Sequence, residues 1–201
     1  MTELPWGGVS RETRERLERF GALLLDENER QNLISRGSAQ DLWNRHLADG
    51  AQLLDHAPSD AAWLDIGSGP GLPGLVLAIM GVRSITLVEP RRLRTDFLAR
   101  CVAELDLPNV IIVTGKVQAL SGSFDVITAR AVASLDQLFA MAHGLVASEG
   151  RWVLPKGRSA AKELEEARRT WQGSFALLPS RTDPDARIVV AEGVRRRTGR
   201  G

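Results

Sequence analysis

Glycines at positions 67, 69, 71 and 74 form the stretch of this sequence best suited to hold a ligand. A short apolar run precedes them and a helical pattern follows, so a strand should deliver the chain into a loop from which a helix begins. Without Cβ atoms, Gly67, Gly69 and Gly71 let ligand atoms reach backbone N–H groups at a helix N-terminus. Two acids belong to the same constellation. Asp65 stands two positions before the first glycine, where a carboxylate can hold an ammonium group, directly or through water. Glu89 ends the next apolar run, 22 residues after Gly67, where an acid can accept hydrogen bonds from ribose hydroxyls. Glycine loops also serve as plain tight turns, so the loop alone names no ligand.

Two cofactors compete for this arrangement. A dinucleotide fingerprint places its third glycine three positions after the second, but that position is Leu72, and a pyrophosphate would lie against the Asp65 carboxylate. S-adenosylmethionine has no phosphate and carries an α-ammonium, so the acid at 65 favours it over a nicotinamide. The acid-x-Gly-x-Gly-x-Gly spacing, with Glu89 following, resembles the motifs of the class I S-adenosylmethionine-dependent methyltransferases, which implies a Rossmann-like fold.

The elements that must position these residues follow from periodicity. Apolar runs at 63–66, 84–88, 110–113, 124–128 and 152–154 alternate with helical patterns at 74–80, 90–105 and 132–146. Such alternation predicts an α/β fold with a parallel sheet covered on both faces. A connecting helix at 160–171 and two late strands at 175–178 and 187–191 complete a mostly parallel seven-stranded sheet with an edge hairpin. Ahead of it, Ser10 can cap one helix, and a second spans 39–56. The expected division is an N-terminal helical extension at 1–60, a methyltransferase domain at 61–194 and a basic tail at 195–201. Pro73 falls in the first turn of its helix and Gly81 just past the end, while Pro90 opens the next helix. On that helix Leu93, Phe97, Leu98, Cys101, Val102 and Leu105 form one apolar stripe, which places Cys101 in the core. Trp6, Trp43 and Trp63 read as packing residues.

Composition narrows the class. The chain has 201 residues, 43% apolar and 25% charged, as in one ordinary globular domain. No apolar stretch approaches the roughly 18 residues of a membrane helix, and the first residues carry no secretory signal, so a cytoplasmic protein is expected. The lone Cys101 can form neither an internal disulfide nor a cysteine zinc cage, and no metal site is expected. Net charge is only +1, yet residues 1–60 sum to −4, 61–150 to −1 and 151–201 to +6. That polarity suits a polyanion approaching the C-terminal side. A solvated tail is the alternative for Arg195, Arg196 and Arg197.

Further blocks carry a more specific resemblance. Asn32 and Leu33, then Arg45, His46 and Asp49, then Asp65 through the Gly69-Pro70-Gly71-Leu72-Pro73-Gly74 string, then Thr128, Arg130 and Ala131, then Leu154, Lys156 and Gly157 resemble the glucose-inhibited division protein B family. That family consists of guanine-N7 methyltransferases of small-subunit ribosomal RNA. The resemblance implies a methyl transfer from S-adenosylmethionine to 16S rRNA or the small ribosomal subunit, in the 530 loop, with S-adenosylhomocysteine as product; a monomer is expected because nothing in the sequence suggests an obligate partner. It further implies that Gly67 and Leu72 contact the cofactor, that Glu89 binds its ribose, that Val117 and Gln118 contact the adenine and that Arg130 completes the pocket. Two departures stand out: Gln118 replaces a common glutamate, and Gly50 stands where a serine often follows the aspartate.

Methylation at different atoms demands different protein groups. Carbon-5 of a pyrimidine requires a cysteine nucleophile, and the only thiol falls on a core stripe. Exocyclic amines commonly rely on an Asn/Asp-Pro-Pro-aromatic turn after the fourth strand, where this chain has Ala129, Arg130, Ala131 and Val132. Guanine N7 presents a lone pair and loses no proton, so alignment suffices and no catalytic residue is assigned. Arg45, His46 and Lys156 are the candidate substrate contacts, Lys156 for guanine O6 or a phosphate. A lysine that stabilises its loop, and a structural His46–Asp49 pair, are the alternatives. A nicotinamide oxidoreductase, a non-catalytic RNA-binding module and a small-molecule methyltransferase remain as rival functions at this stage.

Overall fold

The computed structural model describes residues 9–198. Seven strands form one sheet in the order β3-β2-β1-β4-β5-β7-β6. They are β1 (Ala62–Ile66), β2 (Ser84–Glu89), β3 (Val110–Thr114), β4 (Phe124–Thr128), β5 (Val146–Lys156), β6 (Trp171–Pro179) and β7 (Arg187–Arg196). The first five pair in parallel, and β7 runs antiparallel to β5 and β6, making the edge hairpin. The sheet order reverses between β1 and β4. Crevices outside the carboxyl ends of strands at such a reversal are where open α/β sheets bind ligands.

Helix α1 (Arg11–Gln31) begins at Ser10, whose side chain accepts a hydrogen bond from the Thr13 N–H, and ends at Asn32 in the left-handed conformation. Downstream come α4 (Gly74–Ile79), α5 (Arg92–Glu104), α6 (Leu135–Ala142) and α7 (Ala160–Thr170). Each strand sends alternate residues to opposite faces, so β1 contributes Trp63 to one apolar cluster and Leu64 to the other. The first cluster joins Leu17, Phe20 and Leu24 of α1 to α4, α5 and the sheet; the second joins α6 and α7 to the opposite face. Helices that precede β1 therefore share a core with the sheet. None of the helices among the described residues is long and apolar enough to cross a membrane.

Several expectations need correction. The segment at 39–56 is not one amphipathic helix: α2 (Arg36–Gln40) is followed by a π-helical turn (Trp43–Ala48), α3 (Asp49–Ala51) and a 3-10 turn (Gln52–His56). Leu93 leaves the α5 stripe and is 70% exposed, because it lies in the first turn, ahead of the length that packs on the sheet. Pro73 immediately precedes α4, and Pro90 stands two residues before α5. Strand β7 continues through Arg196, pairing it with Trp171, so Arg195 and Arg196 belong to the sheet rather than to a tail. Trp63 is fully buried and Trp43 packs against the first cluster, while Trp6 and residues 199–201 lie outside the described residues. Cys101 is fully buried, and burial raises its thiol to about 12.

Candidate functional site

The loop from β1 to α4 turns on positive φ at Gly67 (67°), Gly69 (53°) and Gly71 (89°). Gly67 and Ser68 donate backbone N–H groups to Val88 O at 2.8 and 3.1 Å, which ties the loop to the end of β2. Gly67 leaves no room for a side chain, since a Cβ there would meet Val132 Cγ2 at 2.7 Å. Gly74 is required for a different reason. A Cβ at that position would run into Leu87 and approach Asp65 Oδ2 to 2.6 Å.

Asp65 is fully buried below this loop. Its Oδ2 accepts the Gly74 N–H at 3.1 Å, and its Oδ1 has no hydrogen-bond partner. Burial raises the carboxyl to about 7, outweighing the opposing hydrogen bonds from Ser68 and Gly74 and the charge of Arg130. A cation delivered beside it would supply the counter-charge that the fold withholds. Glu89 is likewise buried, with Oε2 accepting the Gly69 N–H at 3.0 Å and Oε1 the Arg91 N–H at 2.9 Å, and Arg94 Nη1 lies 3.7 Å from Oε2. The acid thus fastens the glycine loop to the start of α5, and each oxygen keeps a second lone pair.

A cavity of about 780 Å³ opens beside the loop. Gly67, Gly69 and Leu72 line one side, Arg130 and Lys156 another, Arg45 and His46 a third. The fourth wall is the segment between β6 and β7, including Ser180, Thr182 and Asp183. Gly71 faces Leu75 and Leu98 behind the loop. Asp65 and Glu89 lie beneath the cavity lining. Val117 and Gln118 stand beyond the carboxyl end of β3, outside the cavity, Val117 buried and Gln118 exposed. The sequence therefore brings seven of its candidate residues to one cavity, and two more directly under its floor.

Arg130, on the turn after β4, faces inward. Nη1 donates to Asp49 Oδ2 at 3.1 Å and to the Arg45 carbonyl at 3.2 Å, and Nη2 donates to His46 Nδ1 at 3.0 Å. A guanidinium only donates, so His46 Nδ1 accepts and the neutral ring carries its hydrogen on Nε2, which is buried and unpartnered. Burial, then the charges of Arg130 and Arg45, lower His46 to about 4, against the pull of Asp41. This corrects the expected His46–Asp49 pair: Asp49 gives its carboxylate to Arg130, to Thr182 Oγ1 at 2.9 Å and to Gln52 Nε2 at 2.9 Å.

Lys156 takes the role of loop stabiliser. Its ammonium donates to the Ala133 carbonyl at 2.6 Å and lies 2.9 Å from Glu163 Oε2, with only 10% of the side chain exposed. Arg45 pairs with Asp183 across the cavity at 3.0 Å. Sequence reasoning missed Gln52 altogether. Fully buried, it donates to Asp49, Ser180 and Thr182 and accepts from the Arg181 N–H at 2.9 Å. A glutamine amid Leu53 and Leu54 was the one available signal, since a buried amide demands partners.

A family model described as rRNA small subunit methyltransferase G matches residues 13–179. The chain is 44% identical over 193 residues to the protein named ribosomal RNA small subunit methyltransferase G of Zymomonas mobilis, covering 92% of this chain and 87% of that one. To the protein of the same name in Rhizorhabdus wittichii it is 45% identical over 200 residues, covering 97% and 92%. Among solved structures, the glycopeptide N-methyltransferase MtfA complexed with sinefungin is similar with a TM-score of 0.63 at 12% identity, over 73% of this chain and 93% of that one. The ribosomal protein L11 methylase of Lactobacillus delbrueckii follows with 0.60 at 14% identity, over 77% and 79%. At those identities the likeness is one of fold.

Proposed function

The chain belongs to the rRNA small subunit methyltransferase G family, and from that membership we propose that it methylates N7 of a guanine in the 530 loop of 16S rRNA, converting S-adenosylmethionine to S-adenosylhomocysteine. The observation that carries the cofactor half is the buried, partnerless Oδ1 of Asp65 under a loop with glycine at 67, 69, 71 and 74. When bound, S-adenosylmethionine supplies an electrophilic methyl carbon on a sulfonium. Asp65 would hold the ammonium, the backbone of Gly67 and Gly69 would accommodate the amino-acid portion and Glu89 the ribose.

The choice of N7 is supported by the proton inventory of the cavity. His46 has spent its only acceptor nitrogen on Arg130. Asp49 is held by Arg130, Gln52 and Thr182, Glu163 by Lys156 and Ser159, and Asp183 by Arg45. No titratable group lining the cavity is poised to take a proton, as methylation of an exocyclic amine requires. N7 methylation needs none, and its barrier is lowered by orientation and by exclusion of water. The uncommitted Nε2–H of His46 is available to an oxygen of the purine or the cofactor.

We further propose that the chain acts as a monomer in the cytoplasm, a reading that an rRNA substrate supports. The test is transfer of labelled methyl to small subunits from cells lacking the protein, followed by borohydride reduction, which releases N7-methylguanine, and aniline cleavage of the RNA at the abasic site left behind. A single cleavage in the 530 loop is expected. Label in an exocyclic amine or in another loop would overturn the reading.

A further inference from the structure

The arginines at the end of the chain do not surround the cavity. Lys156 pairs with Arg187 at the cavity end of the sheet, and Arg196 lies nine residues further along β7. At ~3.3 Å per residue that is about 30 Å away. There β7 meets the end of α7: Arg197 N donates to Thr170 O at 2.9 Å, and Arg197 Nε donates to Arg168 O at 2.8 Å. Arg168, Arg169, Arg195, Arg196 and Arg197 are all exposed. None of the five forms an ion pair with a described residue, although most of the other arginines do. Glu166 pairs with Lys162 and Glu192 with Arg151. Arg168 and Arg196, both exposed, lie over the rings of Phe175 and Trp171, each 5.6 Å from the centroid, and are held there by cation–π attraction. Five guanidinium groups without ion pairs, against one unpaired acid on α7, Glu165, form an anion-binding surface, and an RNA phosphate backbone is a partner whose charge they suit.

We propose that this patch is a second RNA-docking surface, which grips the phosphate backbone of the ribosomal RNA about 30 Å from the guanine being methylated. The inference rests on rRNA being the substrate. A separated anchor of this kind sets the orientation of the particle over the cavity and adds affinity without touching the chemistry.

Arg169 and Arg195 are exposed and their side chains make no hydrogen bond, ion pair or ring contact with a described residue, so reversing them should spare the fold. The double variant Arg169→Glu/Arg195→Glu should bind unmethylated small subunits about tenfold more weakly at ~0.1 M salt, with the slope of log K against log salt smaller by about two. KM for the subunit should rise by the same factor while kcat at saturation is unchanged, and the neutral pair Arg169→Gln/Arg195→Gln should fall between. Unchanged affinity and slope would overturn the proposal. So would weaker binding at an unchanged slope, the signature of a contact with ribosomal protein rather than phosphate. Binding is read without methyl transfer, so a wild-type protein that binds these subunits but methylates nothing would sink the activity and leave the patch standing.

Discussion

Arg130 Nη2 donates to His46 Nδ1 at 3.0 Å, so a residue on the turn after β4 sets the tautomer of one that lies 84 positions earlier in the chain. The same contact keeps His46 neutral, lowering it from 6.5 to about 4, with burial the larger cause. The unfolded chain takes up a proton near its ordinary value and the folded protein does not. Stability that this group confers is therefore complete above pH 6.5 and is lost as pH falls toward 4. Across that window the wild type should lose stability relative to His46→Gln at up to about 1.4 kcal/mol per pH unit. Paired denaturant titrations from pH 4 to 8 measure the difference, and a flat difference curve would refute it.

Asp65 has the opposite sign. Its folded carboxyl is raised to about 7, so the stability it confers is greatest at low pH and is lost as pH rises toward neutrality. An ammonium can be held only by the ionised form. Affinity for S-adenosylhomocysteine, which keeps the α-amino group, should fall up to about tenfold per pH unit below 7, with proton release on binding. In Asp65→Asn the amide oxygen still accepts the Gly74 N–H, so the fold survives, while affinity drops and its pH dependence disappears. Calorimetry in buffers of different ionisation enthalpy reads both. Retention of that pH dependence by the variant would place the titrating group elsewhere.

Gln52 joins the helical segment before β1 to the fourth wall of the cavity. Truncation to alanine leaves the Arg181 N–H without its acceptor and Asp49 with one donor fewer, at a cost of about 1–3 kcal/mol. The segment carrying Ser180, Thr182 and Asp183 then loses its anchor. KM for RNA should rise several-fold with cofactor affinity nearly unchanged, because the glycine loop is tied to β2 and α5 and not to this segment. Gln52→Glu retains the acceptor but loses the donor, and should recover only part of the effect. Equal loss of cofactor affinity would show the two halves of the cavity to be coupled.

These residues also mark what local sequence conveys. β4 covers the expected 124–128, and the glycine loop lies where the spacing put it, because parallel strands are apolar on both faces and turns with positive φ select glycine. The segment at 39–56 reads as one helix in the sequence, since Leu42, Leu47, Leu53 and Leu54 recur at nearly helical spacing. Its actual path follows Asp49 and Gln52 to partners 81 and about 130 positions away, and no periodicity encodes such contacts. The start of β5 was hidden for a related reason. Ser148, Glu149 and Gly150 carry no apolar signal, yet the strand begins at Val146 alongside Phe124 of β4.

Lys156 provides the sharpest discrimination between contact with substrate and support of the site. If its ammonium acts through Ala133 O and Glu163, removing it harms stability first. Glu163 is disfavoured as a carboxylate by burial but held below its ordinary value by hydrogen bonds from Lys156 and Ser159. Its stabilisation is thus present above its ordinary carboxyl value and is lost as pH falls through the lowered one. Lys156→Met should cost about 1–3 kcal/mol at pH 7, the deficit shrinking as pH falls below the ordinary carboxyl range and the wild-type pair is also lost. The double variant Lys156→Met/Glu163→Gln removes the orphaned charge and should regain most of that stability. It should also regain part of kcat, since no unpaired charge is then left beneath the turn carrying Arg130, although the Ala133 carbonyl still lacks its donor. A double variant that is fully stable yet still inactive would instead assign the Lys156 ammonium to the guanine itself.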